Sequence, residues 1–182
     1  MKKIFLIVGR TGSGKSSITR AACEQLGLRV VKSYTTRPPR PNELDGPCDH
    51  YFITEEEVSR YENEIIAYTE INGYKYFTTK SELDQCDAYV IDPRGIEYLK
   101  DKCGGEYKFV VVYTRTSPDI TKKRIKERGD DLEVFQKRAA DEDDQFRQFE
   151  KDMAWDYHLL NNDSFERAVE TMSKFLKREF YL

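Results

Sequence analysis

Gly9-Arg10-Thr11-Gly12-Ser13-Gly14-Lys15-Ser16 fits the spacing G-x-x-x-x-G-K-[ST], the pattern of a phosphate-binding loop, or P-loop. The residue types suit that chemistry. Glycines allow a tight turn that aims successive backbone N–H groups into one concavity. A helix starting at the loop adds positive potential where a polyphosphate would lie. Lys15 can reach the outer phosphates, and the Ser16 hydroxyl can ligate Mg²⁺. The elements needed to position such a loop flank it. Ile4-Phe5-Leu6-Ile7-Val8 has the length and branching of a buried parallel strand. Ser16 to Leu26 reads as a helix, with Ile18, Ala21, Ala22 and Leu26 on one face and Gly27 at its C-cap.

Three other groups could do related chemistry. In Ser33-Tyr34-Thr35-Thr36-Arg37-Pro38-Pro39-Arg40-Pro41 the prolines hold the chain extended. With three residues per turn, Arg37 and Arg40 share a face, and two guanidinium forks suit a phosphate monoester. Taken alone the segment also fits a solvated basic loop; one strand after a P-loop it is a candidate second phosphate site. Ala88-Tyr89-Val90-Ile91-Asp92 reads as a buried strand ending in an acid, the form of the metal-organising acid of P-loop enzymes. Arg124 and Arg128 lie one helical turn apart, and Arg138 follows on the next helix. Like charges so placed point to an anionic partner, or else to pairing with Glu127, Asp130 and Asp131.

The totals narrow the classes. The chain has 182 residues, enough for one domain with a real core. It is 38% hydrophobic and 35% charged, and its net charge of −3 argues against a general nucleic-acid binder. No apolar run reaches membrane-spanning length, and the short one after Lys2-Lys3 ends too soon for a signal peptide. A cytoplasmic protein is expected. Cys23, Cys48, Cys86 and Cys103 form no C-x-x-C pair and are expected to be reduced thiols. Cys48-Asp49-His50 lacks the distant partners that a metal site needs.

The remaining elements follow in order. Leu28 to Tyr34 reads as a second strand. Thr54 and Glu57 form a capping box for a short helix. Ile65 to Tyr76 reads as a hairpin around Asn72-Gly73, its aromatics shared between a small core and ligand-facing positions. Lys108 to Tyr113 is a buried strand, and Ser117-Pro118-Asp119 starts a helix. Gly129-Asp130-Asp131 breaks it. Asp141-Glu142-Asp143-Asp144 reads as a solvated helix face. Trp155 to Leu160 is a last strand, and Phe165 to Leu176 carries the apolar stripe of a terminal helix.

The order of these motifs resembles the guanylate kinase family over nearly the whole length. Ser33-x-Thr35-Thr36-Arg37-x-x-Arg40-Pro41 is similar to that family's S-x-T-T-R-x-P-R-x-G-E, with Glu43 near its Glu and Asp45-Gly46 keeping its D-G. Tyr76-Phe77-Thr78-Thr79 is similar to Y-G-T-S, and Ile91-Asp92-Pro93-Arg94-Gly95 to I-D-x-Q-G. Arg124, Arg128 and Arg138 resemble its lid arginines, and Asp156-Tyr157 with Asn161-Asn162-Asp163 resembles its D-Y-x-x-x-N-D ending.

The resemblance implies an α/β P-loop kinase fold in three layers, with a parallel-sheet core, a small mixed or antiparallel monophosphate-binding insert and a helical lid. The core would be 1–32, 81–114 and 143–182, the insert 33–80 and the lid 115–142. ATP would lie on Gly9, Arg10, Thr11, Gly12, Ser13, Gly14, Lys15, Ser16 and Ser17, with Asn161 near its base. Mg²⁺ would be held through Ser16 and, across water, Asp92. Ser33, Arg37, Arg40, His50, Tyr51, Glu70, Tyr76, Thr78 and Asp92 would hold the acceptor. Lys15, Arg37, Arg124, Arg128 and Arg138 would serve the transferring phosphoryl group.

The chain also departs from the pattern. Ala67 aligns with the Glu that reads guanine. Glu70 could substitute, but a strand would turn it to the opposite face. His50 aligns with a phosphate-contacting Tyr, although Tyr51 is adjacent. Phe77 replaces a Gly and would add bulk beside the base pocket. The implied activity is ATP-dependent phosphorylation of a nucleoside monophosphate, GMP or dGMP first. The alternatives are a kinase of the same fold for another nucleotide or phosphorylated small molecule, and a non-catalytic binding module. The expected partners are small nucleotides, with no nucleic acid or membrane, and the expected state is a monomer or homodimer.

Overall fold

The structure, a computed structural model, describes residues 1–39, 41–44, 48–127 and 132–181. Strand β1 (Lys2–Val8) runs into the glycine loop, and helix α1 (Lys15–Leu26) leaves it, ending at Gly27. Every residue from Ile4 to Val8 is buried. Ile4, Leu6 and Val8 point to one face of the sheet, Phe5 and Ile7 to the other. A strand covered on both faces needs such an unbroken apolar run. Each of these side chains contributes about 1.5–3 kcal/mol by leaving water.

The main sheet also contains β6 (Ala88–Val90), β7 (Tyr107–Arg115) and β8 (Tyr157–Leu160), in the order β6-β1-β7-β8, all parallel. Helices α1 and α7 (Phe165–Phe180) cover one face through Ile18, Ala22, Val169 and Met172. Helices α4 (Pro93–Cys103) and α6 (Leu132–Asp152) cover the other through Ile96, Leu99, Phe146 and Phe149. The result is a three-layer α/β fold. Successive connections from β1 and β6 leave to opposite sides of β1, so a crevice opens at the carboxyl ends of the strands. Among the described residues no helix is long and apolar enough to cross a membrane.

A second sheet, in the order β3-β2-β5-β4, is built from β2 (Ser33–Thr35), β3 (His50–Phe52), β4 (Ile65–Ile71) and β5 (Tyr74–Thr79). β2 and β3 are parallel and the other pairs antiparallel. The hairpin turn falls on Asn72 (φ 53°) and Gly73 (φ 76°), two left-handed residues that match the twist of the strands. The capping box forms: Thr54 N–H donates to Glu57 Oε2 at 2.9 Å, and Glu57 N–H to Thr54 Oγ1 at 3.3 Å.

Two expectations change. The stretch 28–34 is not one strand. Val30 makes a single bridge to Ala88 at the edge of the main sheet, and the chain then crosses to the second sheet as β2. Phe77 does not stand beside the base pocket. Strand alternation turns it away from Tyr76 and Thr78, and it is buried against Tyr34 (ring centroids 5.2 Å) and Tyr61 (5.7 Å). The expected helix break at Gly129-Asp130-Asp131 lies outside the described residues. Between α4 and α6 the chain also forms α5 (Pro118–Glu127), and two short helices, α2 (Pro41–Leu44) and α3 (Lys80–Asp84), flank the second sheet.

Candidate active site

The glycine loop is braced from three sides. Gly12 (φ 76°) and Gly14 (φ 82°) take left-handed conformations that a Cβ would strain. A Cβ on Gly14 would also meet Asn161 Nδ2 at 2.6 Å, and one on Gly12 would meet Thr121 of α5 at 2.6 Å. The Ser13 carbonyl accepts from Asn161 Nδ2 at 2.8 Å and Thr116 Oγ1 at 3.0 Å. Arg124 Nη2 donates to Asn161 Oδ1 at 3.4 Å. Gly14 is the N-cap of α1 and offers no side chain there, so the first amides of the helix face the loop's concavity. Lys15 Nζ donates to the Arg10 carbonyl at 3.4 Å.

One cavity of about 190 Å³ runs from this loop to the second sheet. Its lining includes Gly9, Lys15 and Ser16 from the loop, Ser33, His50 and Tyr76 from the second sheet, and Asp92. Ser33 Oγ and His50 Nδ1 are 2.8 Å apart, and the His50 ring meets Tyr76 edge-on at 5.7 Å. Asp92 caps α4 by accepting from Gly95 N–H at 2.8 Å. Burial holds its carboxyl above the ordinary aspartate range; the Gly95 amide, the Thr69 hydroxyl and the charge of Lys15 oppose that shift. Ala67 lines the cavity at 1% exposure and brings only a methyl group to it. A second cavity, of about 410 Å³, opens on the other side of the loop between Arg10, Thr11, Thr116 and Phe135. Beside it Ser13 Oγ and Thr114 Oγ1 are buried with no hydrogen-bond partner among the described residues.

Other expected residues stand apart. Arg37 is 5% exposed and does not line the first cavity; its two terminal nitrogens donate to Glu43 at 2.8 and 2.9 Å, and its Nε has no hydrogen-bond partner among the described residues. Glu70 is exposed, faces away from the cavity, and accepts from Tyr68 OH at 3.4 Å, so it brings no carboxylate to the place left by Ala67. Tyr51 is exposed and packs on Tyr34 and Lys32. Thr78 is fully buried, with Oγ1 unpartnered among the described residues. Ser17 is exposed on α1, and Arg138 is half-buried on α6. Arg40 and Arg128 lie outside the described residues.

The acidic run on α6 corrects the reading of a wholly solvated face. Asp141 and Asp144 are exposed, as expected. Glu142 is not: its Oε2 accepts from the Thr11 backbone N–H at 2.8 Å, and it lines the first cavity. Asp143 takes Arg10 Nη1 at 2.9 Å, and Glu150 sits 3.5 Å from Arg10 Nε. The Arg10 guanidinium also lies 5.0 Å from the Phe146 ring. The only sequence signal for these contacts was that Glu142, Phe146, Phe149 and Glu150 recur at helical spacing, so the carboxylates share the face of the two buried rings. It did not say which element the helix would cover.

A loop of the P-loop pattern at the carboxyl edge of a parallel sheet, open to a smaller sheet through one cavity, is an α/β arrangement suited to a phosphorylated ligand. The comparisons with known proteins narrow this. Residues 1–179 match the family Guanylate kinase. A guanylate kinase of Syntrophus aciditrophicus is 32% identical over 189 aligned positions, which span 96% of this chain and 86% of the relative. One of Fusobacterium nucleatum is 27% identical, with 88% of each chain covered. The crystal structure of guanylate kinase from Anaplasma phagocytophilum shares the fold with a TM-score of 0.69, at 21% identity over 98% of this chain and 86% of that one. The chain belongs to the guanylate kinase family, a family of phosphotransferases.

Proposed function

We propose that the protein transfers a phosphoryl group from ATP to a nucleoside monophosphate, with GMP or dGMP as acceptor and GDP or dGDP as product. The carrying observation is the single cavity that runs from Lys15 and Ser16 to Ser33, His50 and Tyr76. A donor phosphate on the loop and an acceptor on the insert would meet within it.

The roles follow from chemistry. Loop amides and Lys15 hold the donor phosphates and neutralise charge as the phosphoryl group leaves. Arg37 grips the acceptor monophosphate after exchanging Glu43 for it, since a guanidinium fork fits either anion. Arg124 and Arg138, with Arg128, close over the transferring group and exclude water. A magnesium ion fits the donor set: the Ser16 hydroxyl and the Asp92 carboxyl line the same cavity, hard oxygen ligands of the kind this ion takes. Ser16 would hold it directly and Asp92 through water, and it would supply charge neutralisation on the donor phosphates. Insert 33–80 and lid 115–142 would move against core 1–32, 81–114 and 143–182 on binding.

The test is product analysis. Protein, ATP, Mg²⁺ and GMP are expected to yield ADP and GDP in equal amounts; ADP without GDP, or neither, would refute the reading. A second reading has its own observation. Ala67 gives the cavity a methyl group and Glu70 faces away, so among the described residues that wall brings no carboxylate to pair with guanine. Another base, or another phosphorylated small molecule, would then be the acceptor.

A further inference from the structure

Thr11 lies inside the loop whose backbone amides are arranged for phosphate, and its N–H is directed at an anion. That anion is part of the chain: Glu142 Oε2, 2.8 Å away, reaching back from α6 across 131 residues of sequence. The carboxylate also borders the cavity next to Lys15, Ser16 and Asp92. It is drawn largely out of solvent, which pushes its carboxyl up; Lys15, the Thr11 amide and Arg10 oppose that shift, and Asp92 adds to it. These are the surroundings a donor phosphate would have. Two further carboxylates, Asp143 and Glu150, moor the same helix to Arg10. Phe135, also on α6, would lie 3.3 Å from a Cβ on Gly12. The helix therefore crosses the loop and holds one carboxylate in its cradle.

A polyphosphate and Glu142 would compete for the same N–H and would repel each other there, because both are negative and water is largely excluded. Resting on the assignment of this loop to the donor phosphates, we infer that Glu142 is a tethered anion that occupies the phosphate cradle and must swing out before the donor seats, so that this residue sets donor affinity. It keeps the Thr11 N–H satisfied while no nucleotide is bound. It also makes every donor displace an internal competitor, which scales apparent affinity by the fraction of molecules that stand open.

Calorimetric titration of the full chain with ADP and with inorganic tripolyphosphate tests this. The variants are Glu142→Gln, Glu142→Asp, Glu142→Ala and Asp144→Asn. Glu142→Gln keeps an oxygen acceptor for Thr11 N–H, so the fold is retained while the charge goes; it should bind both probes about ten-fold tighter. Glu142→Ala should match or exceed it. Glu142→Asp keeps the charge and loses reach, and should fall between. Asp144→Asn removes the same charge from an exposed site on the same helix and should stay within about two-fold. Unchanged or weaker binding by Glu142→Gln would overturn the inference; weaker binding would make Glu142 a helper of the bound donor. If neither the wild type nor any variant binds ADP or tripolyphosphate, the loop's assignment falls and the inference falls with it. Binding by the wild type without tightening in the variants removes the inference alone.

Discussion

The two sheets of this protein solve different problems. The main sheet is parallel, apolar on both faces, and runs into the glycine loop that carries Lys15. The insert sheet is mixed, with three-residue strands and an aromatic cluster of Tyr34, Tyr61 and Phe77 on one side. Its other side presents Ser33, His50 and Tyr76 to the cavity. Backbone amides read phosphate, which every nucleotide carries, and they tolerate little change in the residues that shape them. Under the proposed function the acceptor would be read by side chains at alternating strand positions, and each of these can be exchanged without moving the backbone. A family can therefore keep its phosphate chemistry while its acceptor site drifts. Here the first region keeps the P-loop pattern, and on the cavity side of the second Ala67 and His50 stand where the resemblance leads one to expect Glu and Tyr.

That division can be broken from either side. The largest effect is expected from Lys15→Ala, which should lower turnover by roughly 10³-fold or more while far-ultraviolet circular dichroism stays unchanged. Retained activity would remove the core from the chemistry. Next is Phe77→Ala, which should cost about 3–4 kcal/mol in denaturant unfolding because it empties the centre of the aromatic cluster. A loss below about 1 kcal/mol would mean that the insert is not held together this way. Arg37→Gln should raise the KM for the acceptor about ten- to a hundred-fold with the KM for ATP nearly unchanged. An equal rise in both would erase the distinction between the regions. The smallest change is expected from Ser33→Ala, which removes the contact to His50 and should alter the ratio of kcat/KM between two acceptors by a few-fold. Competing monophosphates in one reaction would measure it.

Legibility followed the same line. The loop, β1, α1 and the stripe of α7 are local patterns that lie where their spacing put them, except that Phe165, the first residue of the stripe, is 45% exposed. The turn at Asn72-Gly73 and the box of Thr54 and Glu57 are likewise set by neighbouring residues. What was not legible depended on distance. A run such as 28–34 carries no mark where its pairing passes from one sheet to another. Phe77 was readable in principle: if Tyr76 faces the ligand, a pleated strand must turn Phe77 away. The similarity to a family glycine hid that simpler argument. Glu142 was not readable at all, because a charged helix face shows neither which element it will cross nor that a loop amide waits 131 residues earlier.

Steady-state turnover with ATP and Mg²⁺, measured side by side for GMP, dGMP, AMP, CMP, UMP and dTMP, tests the account most directly. The account predicts transfer to monophosphates with GMP or dGMP leading by about ten-fold or more in kcat/KM. Equal or faster turnover of another acceptor would show that the insert has been turned to a different base, and no turnover of any would contradict the kinase assignment itself.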